Sequence, residues 1–236
     1  MNTPSTAWDI TIARWRHGAG AALSFTFDDG YKETCQRARE VLAPFGFRAT
    51  HAVVGGLVGY DLEGRTLASW EELQVAAEGG DEIAVHGLSH RILTSTLWRK
   101  GRRALDFLLR GEGGLPLRTR SFQLLQGAVG HGNSGHLNIA EFAEEIYQAK
   151  HLLAQRLERV PVSFSYPGGW YTREAQELLH QVGYLSARSS DDGYNRPGYL
   201  ERYALKAQVW RKGISTRAAA EWVERALSEG SWLIEM

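Results

Sequence analysis

The chain has 236 residues, 43% of them hydrophobic, including eight Trp, nine Tyr and eight Phe, which is ample core material for one large domain or two small ones. Lys plus Arg equals Asp plus Glu at 27 each, which excludes the bulk positive charge that holds nucleic acid or an anionic membrane surface. A single cysteine, Cys35, excludes an intrachain disulfide framework.

The opening segment, MNTPSTAWDITIARWRHGAG, is polar and lacks the apolar core and small-residue cleavage signal of a secretory leader. No window approaches the run of apolar residues that a membrane span needs. A cytoplasmic protein without a membrane span is the expectation. A first strand is predicted over 22–27, then a helix over 32–45 that places Cys35 on one face with Ala38, Leu42 and Phe45, and a second strand over 49–54. Ser69 and Glu72 form a capping box for a short helix that stops at Gly79 and Gly80, and a third strand follows over 82–85.

The stretch 96–110 has helical periodicity, and 111–135 is rich in glycine and reads as a long surface excursion. An amphipathic helix then carries Ile139, Phe142, Ile146, Leu153 and Leu157 near one stripe. It leads to a strand over 162–166, a helix over 172–182, strands over 184–187 and 205–210, a helix over 216–227 and a last strand over 232–234. Alternation of this kind predicts an α/β fold with a largely parallel sheet, closer to a closed barrel than to an open sheet. With no repeat or linker to divide it, residues 1–236 read as one domain.

In such barrels the chemistry gathers where strands end, because the following loops converge there. Asp28 and Asp29 close the run SFTFDDG, His86 and His90 sit four apart in EIAVHGLSH, SYPGGWY follows the strand over 162–166, and Arg188 ends another. Each has an ordinary reading by itself: an Asp-Gly turn, buried histidines, a glycine-rich turn beside core aromatics, an exposed arginine. Together they offer one carboxylate and two imidazoles for a metal, with a second carboxylate left to move protons, as an open hydrolytic zinc site requires.

The segments TFDDG, HGLSH preceded by EIAV, and FSYPGG followed by GYLSARS resemble the polysaccharide deacetylase family, also called the NodB homology domain or carbohydrate esterase family four. The similarity runs from about Ala21 to the last strand. The resemblance implies a distorted, TIM-barrel-like (β/α) barrel of about seven parallel strands. It implies a metal-dependent hydrolase that removes acetyl groups from N-acetylated or O-acetylated sugars or polysaccharides, so the partner is an acetylated carbohydrate. It also implies Asp28 as catalytic base, Asp29, His86 and His90 as ligands of a divalent metal, usually zinc, and the Gly168 backbone N–H as a donor to the oxyanion. Trp170 and Tyr171 beside it are placed to stack on a sugar ring or to serve the core.

Three positions depart from the family pattern. Ser165 stands where the family carries an arginine that orients the catalytic aspartate, and Arg188 is the residue expected to reach across in its place. Gly168 replaces a usual tyrosine, which leaves only a backbone contribution. The histidine that protonates the leaving amine falls just beyond Met236, and Asp191 and Asp192, loosely where its partner lies, read as solvated loop charges. An amidase acting on a small non-sugar amide and a non-catalytic sugar-binding module remain as alternatives, and the oligomeric state stays open.

Overall fold

Seven strands run parallel in one sheet: β1 (Ala22–Phe27), β2 (Ala49–Val53), β5 (Glu82–Val85), β8 (Ser163–Ser165), β9 (Ser186–Asp192), β10 (Leu205–Ala207) and β11 (Trp232–Glu235). Four two-residue strands lie outside it, β3 (Asp61–Leu62) with β4 (Arg65–Thr66) as a hairpin, and β6 (Ile92–Leu93) beside β7 (His136–Leu137). This computed structural model describes residues 15–93 and 136–236, so the helix expected over 96–110 and the excursion over 111–135 lie outside the described residues.

The sheet order is β10-β9-β8-β5-β2-β1-β11, and its two edges meet. Gln208 bridges Glu235 in parallel: the Gln208 N–H donates to the Ile234 carbonyl at 2.8 Å, and the Met236 N–H donates to the Gln208 carbonyl at 3.0 Å. The result is a nearly closed α/β barrel. Among the described residues its α-helices are α1 (Lys32–Leu42), α2 (Trp70–Glu78), α3 (Ile139–Leu157), α4 (Arg173–Gln181) and α5 (Thr216–Glu229).

Strand side chains alternate between two faces. Outward-facing Val53, Ile83, Val85, Phe164 and Ala187 form one apolar core with α2, α3 and α4. The stripe Ile139, Phe142, Ile146, Leu153 and Leu157 of α3 is buried along its whole length, started by Asn138 and Glu141 in a reciprocal cap. Phe164 meets Phe142 and Tyr184 edge to face at 5.8 and 5.6 Å, and the Tyr184 hydroxyl donates to the Ile146 carbonyl at 2.9 Å. The inward face is small and polar instead. Low in the barrel, Glu82 accepts from Thr50 at 3.0 Å and from Ser163 at 2.5 Å, and Ser186 donates to Ser163 at 3.3 Å. The same inward face carries Thr26, Ala52, Ala84, Ser165 and Arg188, all buried.

Three expected elements differ, one being the strand predicted over 205–210, which ends at Ala207 with Gln208 as an isolated bridge beyond it. The helix predicted over 32–45 ends at Leu42, and Ala43–Phe45 forms a 3₁₀ turn around Pro44. The tighter turn rotates Phe45 off the stripe, so it is 76% exposed while Cys35 and Ala38 are buried. Burial pushes the Cys35 thiol up to about 12, an inert structural group. The strand predicted over 184–187 instead spans Ser186–Asp192. Its polar run is compatible with a strand because one face looks into the polar barrel interior.

Leu153 is fully buried, and its Cδ1 lies where a side chain on Gly55 would have to go. Leu153→Ala is expected to cost about 2–5 kcal/mol of unfolding free energy, read by denaturant titration; a loss well below that range would mean the α3 stripe is not tightly packed.

Candidate metal centre

β1 delivers Asp28 and Asp29 just past its end. Asp28 continues the inward parity of Thr26, whereas Asp29 has a φ of 71°, a left-handed conformation that aspartate tolerates better than most residues and that turns its carboxylate away from its neighbour's. The turn is pinned from below, since the Ala68 N–H donates to the Gly30 carbonyl at 2.9 Å and Tyr31 bridges Leu67. Next door but one, β5 ends at Val85 and hands over His86, whose N–H donates to the Val53 carbonyl at 2.8 Å.

Asp29 Oδ1 lies 3.4 Å from His86 Nε2 and 3.0 Å from His90 Nε2. The two rings stand 5.2 Å apart. Among the described residues, Asp29, His86 and His90 form a cluster of possible ligands whose donor atoms all lie within 4.8 Å of one another. His86 Nδ1 is 2.9 Å from the Ser165 carbonyl, so Nδ1 carries a hydrogen and Nε2 is the nitrogen turned to Asp29, donating to its carboxylate when protonated and free to ligate a cation when not. One carboxylate and two oriented imidazoles suit a divalent cation and leave positions open on it.

Asp28 stays outside this trio. The Arg188 guanidinium lies against Asp28 Oδ1, and the same Nη2 donates to Ser165 Oγ at 2.5 Å. Ser165 Oγ is itself 3.3 Å from Asp28 Oδ1. Because Ser165 pairs Arg188 across β8 and β9, the short serine leaves the volume into which the arginine of the next strand extends. Nη1 of Arg188 donates to the Ser189 carbonyl at 3.1 Å and touches Met236 Sδ.

Charges set the titration of these groups. Burial pushes the Asp28 carboxyl up, but Arg188 and then His86 outweigh it and hold it below the ordinary 3.8. Burial acts on Asp29 in the same sense, and hydrogen bonds from His86 and His90 carry it far below the usual carboxylate range. For His86 burial favours the neutral ring, yet Asp28 and Asp29 outweigh that and raise it above the ordinary 6.5.

The Gly168–Gly169 turn follows β8 at the same rim, both glycines having positive φ. A Cβ on Gly169 would lie 2.4 Å from Ser190 Oγ, so glycine is required there. Trp170 is largely exposed, whereas Tyr171 stacks on Tyr166 at 5.4 Å and donates to Asp191 at 3.0 Å. Asp191 and Asp192 are exposed but end β9 rather than lying in a loop. The sequence reading missed Glu145, a buried carboxylate of α3 bonded to the loop between the two histidines. Its signal was a charge inside the apolar stripe, at three residues from Phe142.

The family model described as polysaccharide deacetylase matches residues 17–187. No curated protein matches the chain. Among solved structures, IcaB from Ammonifex degensii is similar with a TM-score of 0.58 at 22% identity, over 84% of this chain and 71% of that one. The Streptococcus pyogenes deacetylase PplD, solved with acetate, gives 0.59 at 15% identity, over 84% and 68%. A family 4 carbohydrate esterase from Streptomyces lividans, also solved with acetate, gives 0.51 at 17% identity, over 91% and 78%. At these identities the likeness establishes the fold.

In the metal-free protein His86, with its raised pKa, contributes stability that is fully present below pH 6.5 and fades as pH rises through the raised value. Asp28 and Asp29, with lowered values, contribute above 3.8 and lose that as pH falls through their folded values. A cation at Nε2 must displace the His86 proton, so zinc should raise Tm more at about pH 8 than at about pH 6. Equal increments in thermal melts at the two pH values would show that no imidazole proton is displaced.

Proposed function

Because the chain belongs to the polysaccharide deacetylase family, we propose that it is a metal-dependent hydrolase that removes acetyl groups from N-acetylated or O-acetylated sugars or polysaccharides. The observation that carries this reading is the convergence of Asp29, His86 and His90 beside an unligated Asp28 that Arg188 holds ionised. Residues 1–236 are taken as one such domain.

Asp29, His86 and His90 would hold a divalent cation, zinc in this reading, which would supply Lewis acidity toward a water and the acetyl carbonyl. Asp28 is the base that takes the proton of the attacking water. Arg188 keeps that carboxylate charged and fixes its orientation, the role the family gives to an arginine at the position of Ser165. The Gly168 backbone N–H is our candidate donor to the oxyanion. Ser165 acts twice, since its carbonyl sets the His86 tautomer and its hydroxyl touches both Asp28 and Arg188.

Acetate release from acetylated chitooligosaccharides, measured alongside metal content, tests the reading. Bound zinc with sugar binding but no acetate would point to a binding module, and no sugar binding at all would redirect attention to small amides. Asp28→Asn is expected to lower kcat by about 10²–10⁴-fold while zinc remains bound. Arg188→Met should lower kcat through the loss of Asp28's charge partner; unchanged activity and metal affinity would remove Arg188 from the mechanism.

A further inference from the structure

His90 has a φ of 60°, a conformation a histidine holds only when its surroundings impose it. The loop that presents it, residues 87–89, is gripped from two sides. On one side the Gly55 N–H donates to the Gly87 carbonyl at 3.0 Å and the Gly56 N–H to the Leu88 carbonyl at 2.9 Å. A Cβ on Gly56 would stand 2.5 Å from that Leu88 oxygen, so the approach depends on glycine.

On the other side stands Glu145. Its Oε2 accepts from the N–H groups of Leu88 at 2.8 Å and Ser89 at 3.0 Å, and its Oε1 accepts from the Ser89 hydroxyl. Arg91 Nη2 is 3.4 Å from Oε1, and Arg91 Nε donates to Ser89 Oγ at 3.2 Å. Glu145 is 6% exposed and lies on the α3 stripe between Phe142 and Ala149, where an apolar side chain would satisfy the packing alone. A carboxylate there is useful for what it accepts: two backbone N–H groups and a hydroxyl of the loop between His86 and His90, with Arg91 beside them.

We propose that Glu145 is a positioning residue for the metal centre: its carboxylate fixes the Leu88–Ser89 backbone so that His86 and His90 already face Asp29 before a cation arrives. This rests on the metal-centre reading above. The role is that of an outer partner acting through the ligands, which sets affinity and coordination geometry rather than chemistry.

The test uses the full-length protein, zinc affinity from competition with a chromophoric chelator, the visible absorption of the cobalt(II)-loaded form, and Tm without metal. Glu145→Met keeps the volume and removes both acceptors. It is expected to weaken zinc binding about 10–100-fold and to alter the cobalt bands. Glu145→Gln, whose carbonyl can still accept from both amides, should recover most of that loss. A merely structural anchor would instead lower the metal-free Tm in Glu145→Met and leave zinc affinity and cobalt bands as in the wild type, which would overturn the proposal. So would a Gln variant as weak as the Met variant. Should Glu145→Met fail to fold, Glu145→Asp, one methylene short of the amides, carries the test: weaker zinc binding supports the role, and wild-type affinity overturns it. A wild-type protein that binds neither zinc nor cobalt would fell the metal centre itself, a different outcome from a wild type that binds and a variant that binds equally.

Discussion

The guanidinium of Arg188 sits inside the barrel with one carboxylate, Asp28, as its ionic partner among the described residues, and much of the interior is arranged around that pair. A buried cation is costly unless its hydrogens find acceptors. Asp28 Oδ1, Ser165 Oγ and the Ser189 carbonyl supply them. Small inward residues, Ala52, Ala84 and Ser165, stand on β2, β5 and β8, the strands that lie between β1 and β9 in the sheet. Removing either partner would strand the other charge in low dielectric, so the pair stabilises the fold only as a pair. It also fixes the Asp28 carboxylate beside the cluster of Asp29, His86 and His90.

That site is assembled from backbone as much as from side chains. Asp29 and His90 both occupy left-handed conformations, and each is braced by neighbours: the turn at Gly30 by Ala68, the histidine loop by Gly55, Gly56 and Glu145. His86 gains its orientation from the Ser165 carbonyl, so a serine that looks like a deficit in the motif connects His86 to the Asp28–Arg188 pair. Geometry of this kind reduces what has to be ordered when a ligand arrives.

The periodic parts of the chain were plain in the sequence. β1 and β5 fall where alternation and flanking turns put them, and the α3 stripe from Ile139 to Leu157 is buried as its spacing implied. The residues named from TFDDG and HGLSH lie together because both motifs follow parallel strands, β1 and β5 with β2 between them, at one end of the sheet. β9 was misjudged because Arg188, Ser189, Ser190, Asp191 and Asp192 look like a loop unless the barrel interior is known to be polar. Phe45 was misplaced because a 3₁₀ turn changes the angular step. Glu145 went unnoticed because its partners are backbone amides of a loop 56 and 57 residues away, and backbone groups leave no mark in a sequence.

The pairing of β1 with β11 has a consequence for how the molecule is made. Thr26 and Glu235, 209 residues apart, are bonded across that junction, and Ala22 lies in register with Trp232. During synthesis at about 5–20 residues per second, β1 therefore emerges long before the strand that covers its outer edge. Until β11 leaves the ribosome, an unsatisfied ladder edge containing Phe25 and Phe27 is open to any extended segment that meets it, an interval in which a chaperone would have most to protect.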